Sequence, residues 1–197
     1  MLFVTDKLAA GVDEVGRGCL AGPVVAASVI MPYEFEDEHL KWVEKVKDSK
    51  KIGKEMRKNL SEFIKEVAID YSISFIDNTI IDKMNIRNAT LQAMQTAISE
   101  LNITPEFVYI DGNYYVSEDN IPYQCVEQGD NKIFAIACAS ILAKVARDDY
   151  VINDMAMTYD RYNWENNKCY GTKDHYLAIE QYGITPLHRR SFNLHLT

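Results

Sequence analysis

The stretch GVDEVGRGCLAGPVVAASVI, residues 11–30, decides how this chain is read. It opens inside an apolar run, Leu8 to Val12, that suits a buried strand stopping at Asp13. Two carboxylates follow side by side, Asp13 and Glu14, and then a loop in which Gly16 and Gly18 flank Arg17. Gly22-Pro23 closes that loop, and Val24 to Met31 reads as a second strand. Taken alone, the stretch is either an acidic tight turn or a place where bare backbone meets a ligand.

Working outward, strand and helix patterns alternate. Residues 51–66 carry Ile52, Met56, Leu60 and Phe63 at helical spacing. Residues 67–75 alternate, with Val67, Ile69, Tyr71, Ile73 and Phe75 expected on one half-buried face. A helix is expected over 86–101, with Leu91, Met94 and Ile98 on one stripe. FVYID, residues 107–111, is a short strand ending at an acid, and 123–127 reads as another. A long helical pattern runs from Phe134 to Met155, an aromatic loop covers 159–170, and Thr172 caps a last helix that ends near Gly183. This order predicts a mixed α/β sheet with helices on its faces.

Composition narrows the possibilities. The 197 residues suggest one domain, large enough to bury its own core. No apolar run approaches the roughly 20 residues that span a bilayer, and the N-terminus lacks the features of a secretory signal. Neither a membrane partner nor a membrane location is therefore expected. Cys19, Cys125, Cys138 and Cys169 are scattered without a CxxC pair, which reads as reduced, packed thiols in the cytoplasm. A net charge of −8 argues against a sequence-blind nucleic-acid coat. It leaves room for an enzyme that meets phosphates through metal ions.

Asp13 and Asp111 each close an apolar run, and Asp130 precedes the long helix. If the two runs are neighbouring strands, these acids and Glu14 lie at one edge of the sheet, where ligands of open α/β sheets bind. Grouped carboxylates with no histidine or thiolate among them favour Mg²⁺ or Mn²⁺ over Zn²⁺. Each acid alone reads more simply as a solvated loop residue, and spacing by itself does not choose between the two. Ser140, Lys144 and Arg147 are spaced four and three apart and suggest a phosphate-binding stripe, although a solvated helix face fits the same spacing. Lys50, Lys51, Lys54 and Arg57 form a second basic cluster.

Across nearly its whole length the chain resembles the type 2 ribonucleases H, the ribonuclease HII family. The opening stretch is similar to the family's N-terminal signature. DSKKI (48–52), IDKMNIRNATLQAM (81–94), YIDGN (109–113), GDNKIFAIACASILAKVARD (129–148), KCYGTKDH (168–175) and HRRSF (188–192) resemble its further blocks, in order. The resemblance implies a ribonuclease H-like fold: a five-stranded mixed sheet flanked by helices. It also implies a small helical C-terminal part, about 150–197, within a single catalytic domain over 1–197.

The resemblance further implies endonucleolytic cleavage of RNA in RNA–DNA hybrids and 5′ to single ribonucleotides in duplex DNA. The ends would be 5′-phosphate and 3′-hydroxyl. Asp13, Glu14, Asp111 and Asp130 would be both the catalytic acids and the ligands of two Mn²⁺ or Mg²⁺ ions. Gly16, Arg17 and Gly18 would read the 2′-hydroxyl together with Tyr170, and Lys51, Ser140, Lys144 and Arg147 would contact phosphate. Around Tyr170 the chain departs from the family's usual glycine before and proline after: Cys169 and Gly171 stand there. A monomer is expected.

Other readings are a type 3 ribonuclease H, for which Asp13 comes too early to leave room for the extra domain, and a silent hybrid-binding protein, against which all four acids stand. A different nuclease or transposase of the same fold is disfavoured by the Gly-Arg-Gly loop and Tyr170. A metal-free nuclease would need an acid–base pair among His39, His175, His188 and His195. HRRSF has two readings, phosphate binding or attachment of the C-terminus to the domain.

Overall fold

The computed structural model describes residues 8–47, 53–117 and 120–195. Five strands form one mixed sheet: β1 (Ala9–Val15), β2 (Val24–Ile30), β3 (Asp70–Ile76), β4 (Phe107–Asp111) and β5 (Tyr123–Val126). Their spatial order is β3-β2-β1-β4-β5. The first two pairings, β1 with β2 and β2 with β3, are antiparallel. β1 with β4 and β4 with β5 are parallel. β1 is longer than the apolar run alone suggests. It continues through Asp13 and Glu14 because β2 pairs with it as far as Val15↔Val25.

Helices cover both faces, as the buried central strands require. On one face lie α1 (Asp37–Lys47), α2 (Lys54–Val67) and α4 (Phe134–Tyr150). Their apolar sides pack on Val25, Ala27 and Val29 of β2. The opposite face carries α3 (Asn78–Ser99), whose Ala89, Ala93, Met94 and Ala97 meet Val12, Val24, Ala26, Val108 and Ile110. α3 begins earlier than the spacing predicts. The Asp77 side chain caps it by accepting from the Ile80 N–H at 2.9 Å. At Asn85 the backbone leaves helical geometry (φ 70°, ψ 162°), and the Asn85 side chain recaps the second half by accepting from the Asn88 N–H.

β3 reverses the expected orientation. Tyr71 and Phe75 are exposed, and Ser72, Ser74 and Ile76 are buried. The small serines let α3 approach, and the Ser72 hydroxyl donates to the Ala97 carbonyl. Of the anticipated face, Ile73 packs against the first core from β3, and Val67 does so from the last position of α2.

The long helix from Phe134 stays α-helical to Tyr150 and then widens into a π-turn, Val151–Met155. Beyond it lie the short α5 (Ala156–Thr158), α6 (Trp164–Asn167) and α7 (Lys173–Tyr182). They build a third core around Trp164, Tyr162 and Met155, together with Cys19, Leu20 and Ala21 of the opening loop. Thr172 does cap α7, accepting from the His175 N–H at 3.3 Å.

α4 lies unusually close to β1. A Cβ on Gly11 would collide with the backbone of Ala135 and Ile136. Gly11→Ala is therefore expected to lower stability by about 1–3 kcal/mol, the usual result of overpacking a filled core. Thermal unfolding of the variant checks this, and an unchanged midpoint would contradict the close approach.

Candidate active site

The parallel register sets Val12 opposite Ile110, so the next residues, Asp13 and Asp111, stand side by side. Asp13 is buried at 6% exposure. Burial, followed by the charges of Glu14 and then Asp111, holds its carboxyl well above the usual carboxylate range, while a hydrogen bond with the Ser140 side chain pulls the other way. Glu14 is also raised, chiefly by burial, with the Arg17 guanidinium opposing at 3.2 Å. Asp111 is positioned from behind: its Oδ1 accepts the Gly129 N–H at 2.6 Å. Asp130 is the next residue along that same short turn, Gly129–Asn131, and its Oδ1 accepts from the Asn131 amide.

Three of the four acids thus sense one another, and the fourth sits on the turn that fixes Asp111. Among the described residues, no three His, Cys, Asp or Glu side chains close into a ready-made metal shell. An open carboxylate face still suits a hard divalent ion. Mg²⁺ commonly binds through one or two carboxylates and takes its remaining ligands from water and substrate phosphate. A cleft of about 360 Å³ opens beside Glu14 and Asp111, lined also by Arg17, Arg87, Thr90 and Tyr114. The last three went unnoticed in the sequence, where nothing but their distance from the helix kink and the strand end sets them apart.

Gly16 takes a φ of 92°, and a Cβ there would strike the Arg147 side chain. Gly18 faces open space. Tyr170 is 38% exposed and bridges antiparallel to Cys19, which brings it to the glycine loop. The preceding Cys169 adopts a φ of 66°, the left-handed conformation that glycine takes without strain. Its side chain is nonetheless buried. Gly171 leaves room for Tyr176, which a side chain at that position would crowd.

The phosphate stripe divides. Ser140 turns to Asp13. Lys144 pairs with Asp148 at 2.9 Å and lies 5.5 Å from the Tyr170 ring centre. Arg147 is corrected: it is fully buried, not a phosphate contact. Its guanidinium donates to the carbonyls of Pro23, Lys168 and Ala21. Helical spacing places residue 147 on the border between the Ser140–Lys144 side and the buried Ala139–Ala143 side, and the unmet carbonyls of the loop draw it inward. Lys51 lies outside the described residues. His175 and His188 are buried against Trp164, remote from a role as an acid–base pair at the carboxylates.

A sequence model described as Ribonuclease HII matches residues 10–195. The chain belongs to the ribonuclease HII family. A Ribonuclease HII of Parabacteroides distasonis is 45% identical over 190 residues, covering 96% of this chain and 92% of the relative. Among solved structures, the ribonuclease H2 of Pyrococcus horikoshii superposes with a TM-score of 0.77 at 23% identity, covering 94% of each chain. A Bst-RNase HIII determined in complex with Mn²⁺ has a TM-score of 0.66 at 18% identity, over 94% of this chain and 67% of that one. The fold is thus that of the ribonucleases H, and a ribonuclease HII is a ribonuclease H hydrolase, an endonuclease on nucleic acid. No described helix is long and apolar enough to cross a membrane.

The HRRSF segment of this ribonuclease HII attaches the C-terminus to the domain. Asp82 accepts from the backbone N–H groups of Arg190 and Ser191 and from the Ser191 hydroxyl. Burial and the adjacent His175 lower His188 from near 6.5 to about 4. A base lowered in the folded state keeps its full stabilisation above pH 6.5 and loses it as the pH falls toward 4. The expected loss is on the order of 3 kcal/mol. Urea unfolding across that window should show a shallower pH slope in His188→Gln than in the parent, and equal slopes would refute the assignment.

Proposed function

We propose that this ribonuclease HII cleaves 5′ to single ribonucleotides embedded in duplex DNA, as well as the RNA strand of RNA–DNA hybrids. The products would carry 5′-phosphate and 3′-hydroxyl ends, as ribonucleotide removal for repair needs. One observation carries the reading. The acids at the ends of β1 and β4 lie next to a glycine loop and a half-exposed tyrosine, so a phosphate at the acids has its sugar against the readers.

Asp13, Glu14, Asp111 and Asp130 would hold the divalent ions. A pair of Mg²⁺ or Mn²⁺ ions, when bound, supplies an activated water and neutralises the leaving oxygen. The Mn²⁺ complex of the structurally similar Bst-RNase HIII supports this choice. The chain's own work is positional. Asp13 is held by the Ser140 side chain and by the Glu14 N–H, which donates to it at 2.7 Å. Glu14 restrains Arg17 at the mouth of the cleft. The Gly16-Arg17-Gly18 backbone would meet the 2′-hydroxyl, which both donates and accepts. The Tyr170 ring would pack on the sugar, with Lys144 beside it drawing in phosphate.

In a duplex holding one ribonucleotide, cleavage is expected on its 5′ side in Mg²⁺ or Mn²⁺, abolished by chelator and by Asp13→Asn. Activity surviving either treatment would sink the metal reading. Because Asp13 and Glu14 hold protons more readily than ordinary carboxylates, metal binding should release protons and tighten as pH rises. Titration calorimetry in buffers of different ionisation enthalpy measures this, and buffer-independent heats would contradict it. Lys144→Gln should weaken duplex binding and reduce its log–log salt slope by about 1. An unchanged slope would leave Lys144 a surface charge paired only with Asp148.

A further inference from the structure

The loop 16–23 is held through the Leu20 and Gly22 N–H groups, which donate to the Cys169 and Leu187 carbonyls, and through five of its own carbonyls, which two buried arginines engage. Arg189, fully buried, donates from Nη1 to the Arg17 carbonyl at 2.9 Å and from Nε to the Gly22 carbonyl at 3.0 Å. The Arg189 N–H donates to the Leu20 carbonyl at 2.8 Å. Arg147 takes the Ala21 and Pro23 carbonyls. In a trans peptide the carbonyl and the following N–H point in opposite directions. Drawing the Arg17 carbonyl inward therefore turns the Gly18 N–H outward. That N–H has no hydrogen-bond partner among the described residues, and Gly18 faces open space.

His188 acts on the other side of the loop. The Thr185 N–H donates to His188 Nδ1 at 2.9 Å, so the proton of His188 sits on Nε2. Nε2 lies 3.2 Å from His175 Nε2, which also accepts from Trp164 Nε1 at 2.9 Å. His175 Nε2 is then an acceptor, its proton sits on Nδ1, and Nδ1 donates to the Tyr170 carbonyl at 3.0 Å. One arrangement of protons satisfies all of these contacts. It runs as a directed chain from Thr185 through both imidazoles to the backbone of Tyr170.

Arg189 is an expensive way to achieve stability alone. Its hydrogen-bond partners are carbonyls rather than a carboxylate, its Nη2 is buried without a partner, and burial lowers it to about 10. What the guanidinium provides is direction: a planar fork fixes two peptide planes at once.

We propose that His188 and Arg189 are positioning residues that set the Gly16-Arg17-Gly18 loop and Tyr170 in one fixed relation, and so set discrimination of ribose from deoxyribose. The proposal rests on the ribose-reading role assigned above to those two elements. It makes the reader a single unit, with two consecutive residues of the C-terminal segment as its hinge pin.

The test measures fluorescence anisotropy in chelator, where cleavage is silent. Binding of a duplex with one ribonucleotide is compared with binding of the same duplex in all-DNA form. The full chain is compared with Arg189→Lys, which keeps charge but loses the fork, with His188→Gln, and with the exposed neighbour Arg190→Ala. Thermal unfolding confirms that each is folded. The expected result is a ribose preference about five- to tenfold smaller in Arg189→Lys and His188→Gln, with all-DNA affinity unchanged. The double variant should lose less than the sum of the two. Arg190→Ala should leave the preference intact. Equal weakening toward both duplexes, or an unchanged preference in the two variants, overturns the positioning role while the ribose reading stands. Absence of any ribose preference in the unaltered chain overturns both.

Discussion

A parallel pairing that places Val12 opposite Ile110 obliges the following residues on both strands, Asp13 and Asp111, to end the sheet next to each other. Two carboxylates in that position repel, and the burial of Asp13 under α4 intensifies the repulsion by removing water. The neighbourhood is arranged around that tension. The Ser140 side chain and the Glu14 N–H meet Asp13, Gly129 meets Asp111, and Arg17 meets Glu14. The close seating of α4 over Gly11 makes the burial possible. What charge remains is relieved by protonation, which the raised carboxyls favour, or by a hard cation at the open carboxylate face.

The sheet was legible because period-two and period-3.6 patterns survive in buried elements: FVYID is β4 residue for residue, and VVAASVI is β2. The strand ends likewise exposed the acids. Legibility failed where a neighbour, not a pattern, decides the outcome. β3 carries its bulkier residues outward because α3 needs the small face of Ser72 and Ser74. The first turns of α3 were hidden by Asn78, Thr79 and Asn85, which look like turn residues: Asn78 donates to the Pro186 and His188 carbonyls, Thr79 donates to the capping Asp77, and Asn85 kinks and recaps the helix.

Arg147 teaches the same lesson at the site. A positive charge on a helix border reads as a phosphate contact, yet the structure spends it on three backbone carbonyls. Nothing in a linear pattern reports that a distant loop has unsatisfied acceptors. HRRSF stood out as a motif for the same hidden reason. Its residues answer needs created at Arg17, Gly22 and Asp82, between about a hundred and about a hundred and seventy positions away. At Cys169 a side chain occupies left-handed space that glycine takes without strain, and at Gly171 the missing side chain leaves room for Tyr176; neither is visible without the backbone.

The Arg189–Arg17 contact spans 172 positions, which gives it a meaning during synthesis. All four acids and Tyr170 leave the ribosome before residue 189 does. Until that guanidinium arrives, the emerging polypeptide carries Asp13, Glu14, Asp111 and Asp130 without the clasp that turns the Gly18 amide outward. The outward turn of the Gly18 amide is thus fixed by a residue made 172 positions after Arg17, and a chain stopped before residue 189 would carry the four acids without that clasp.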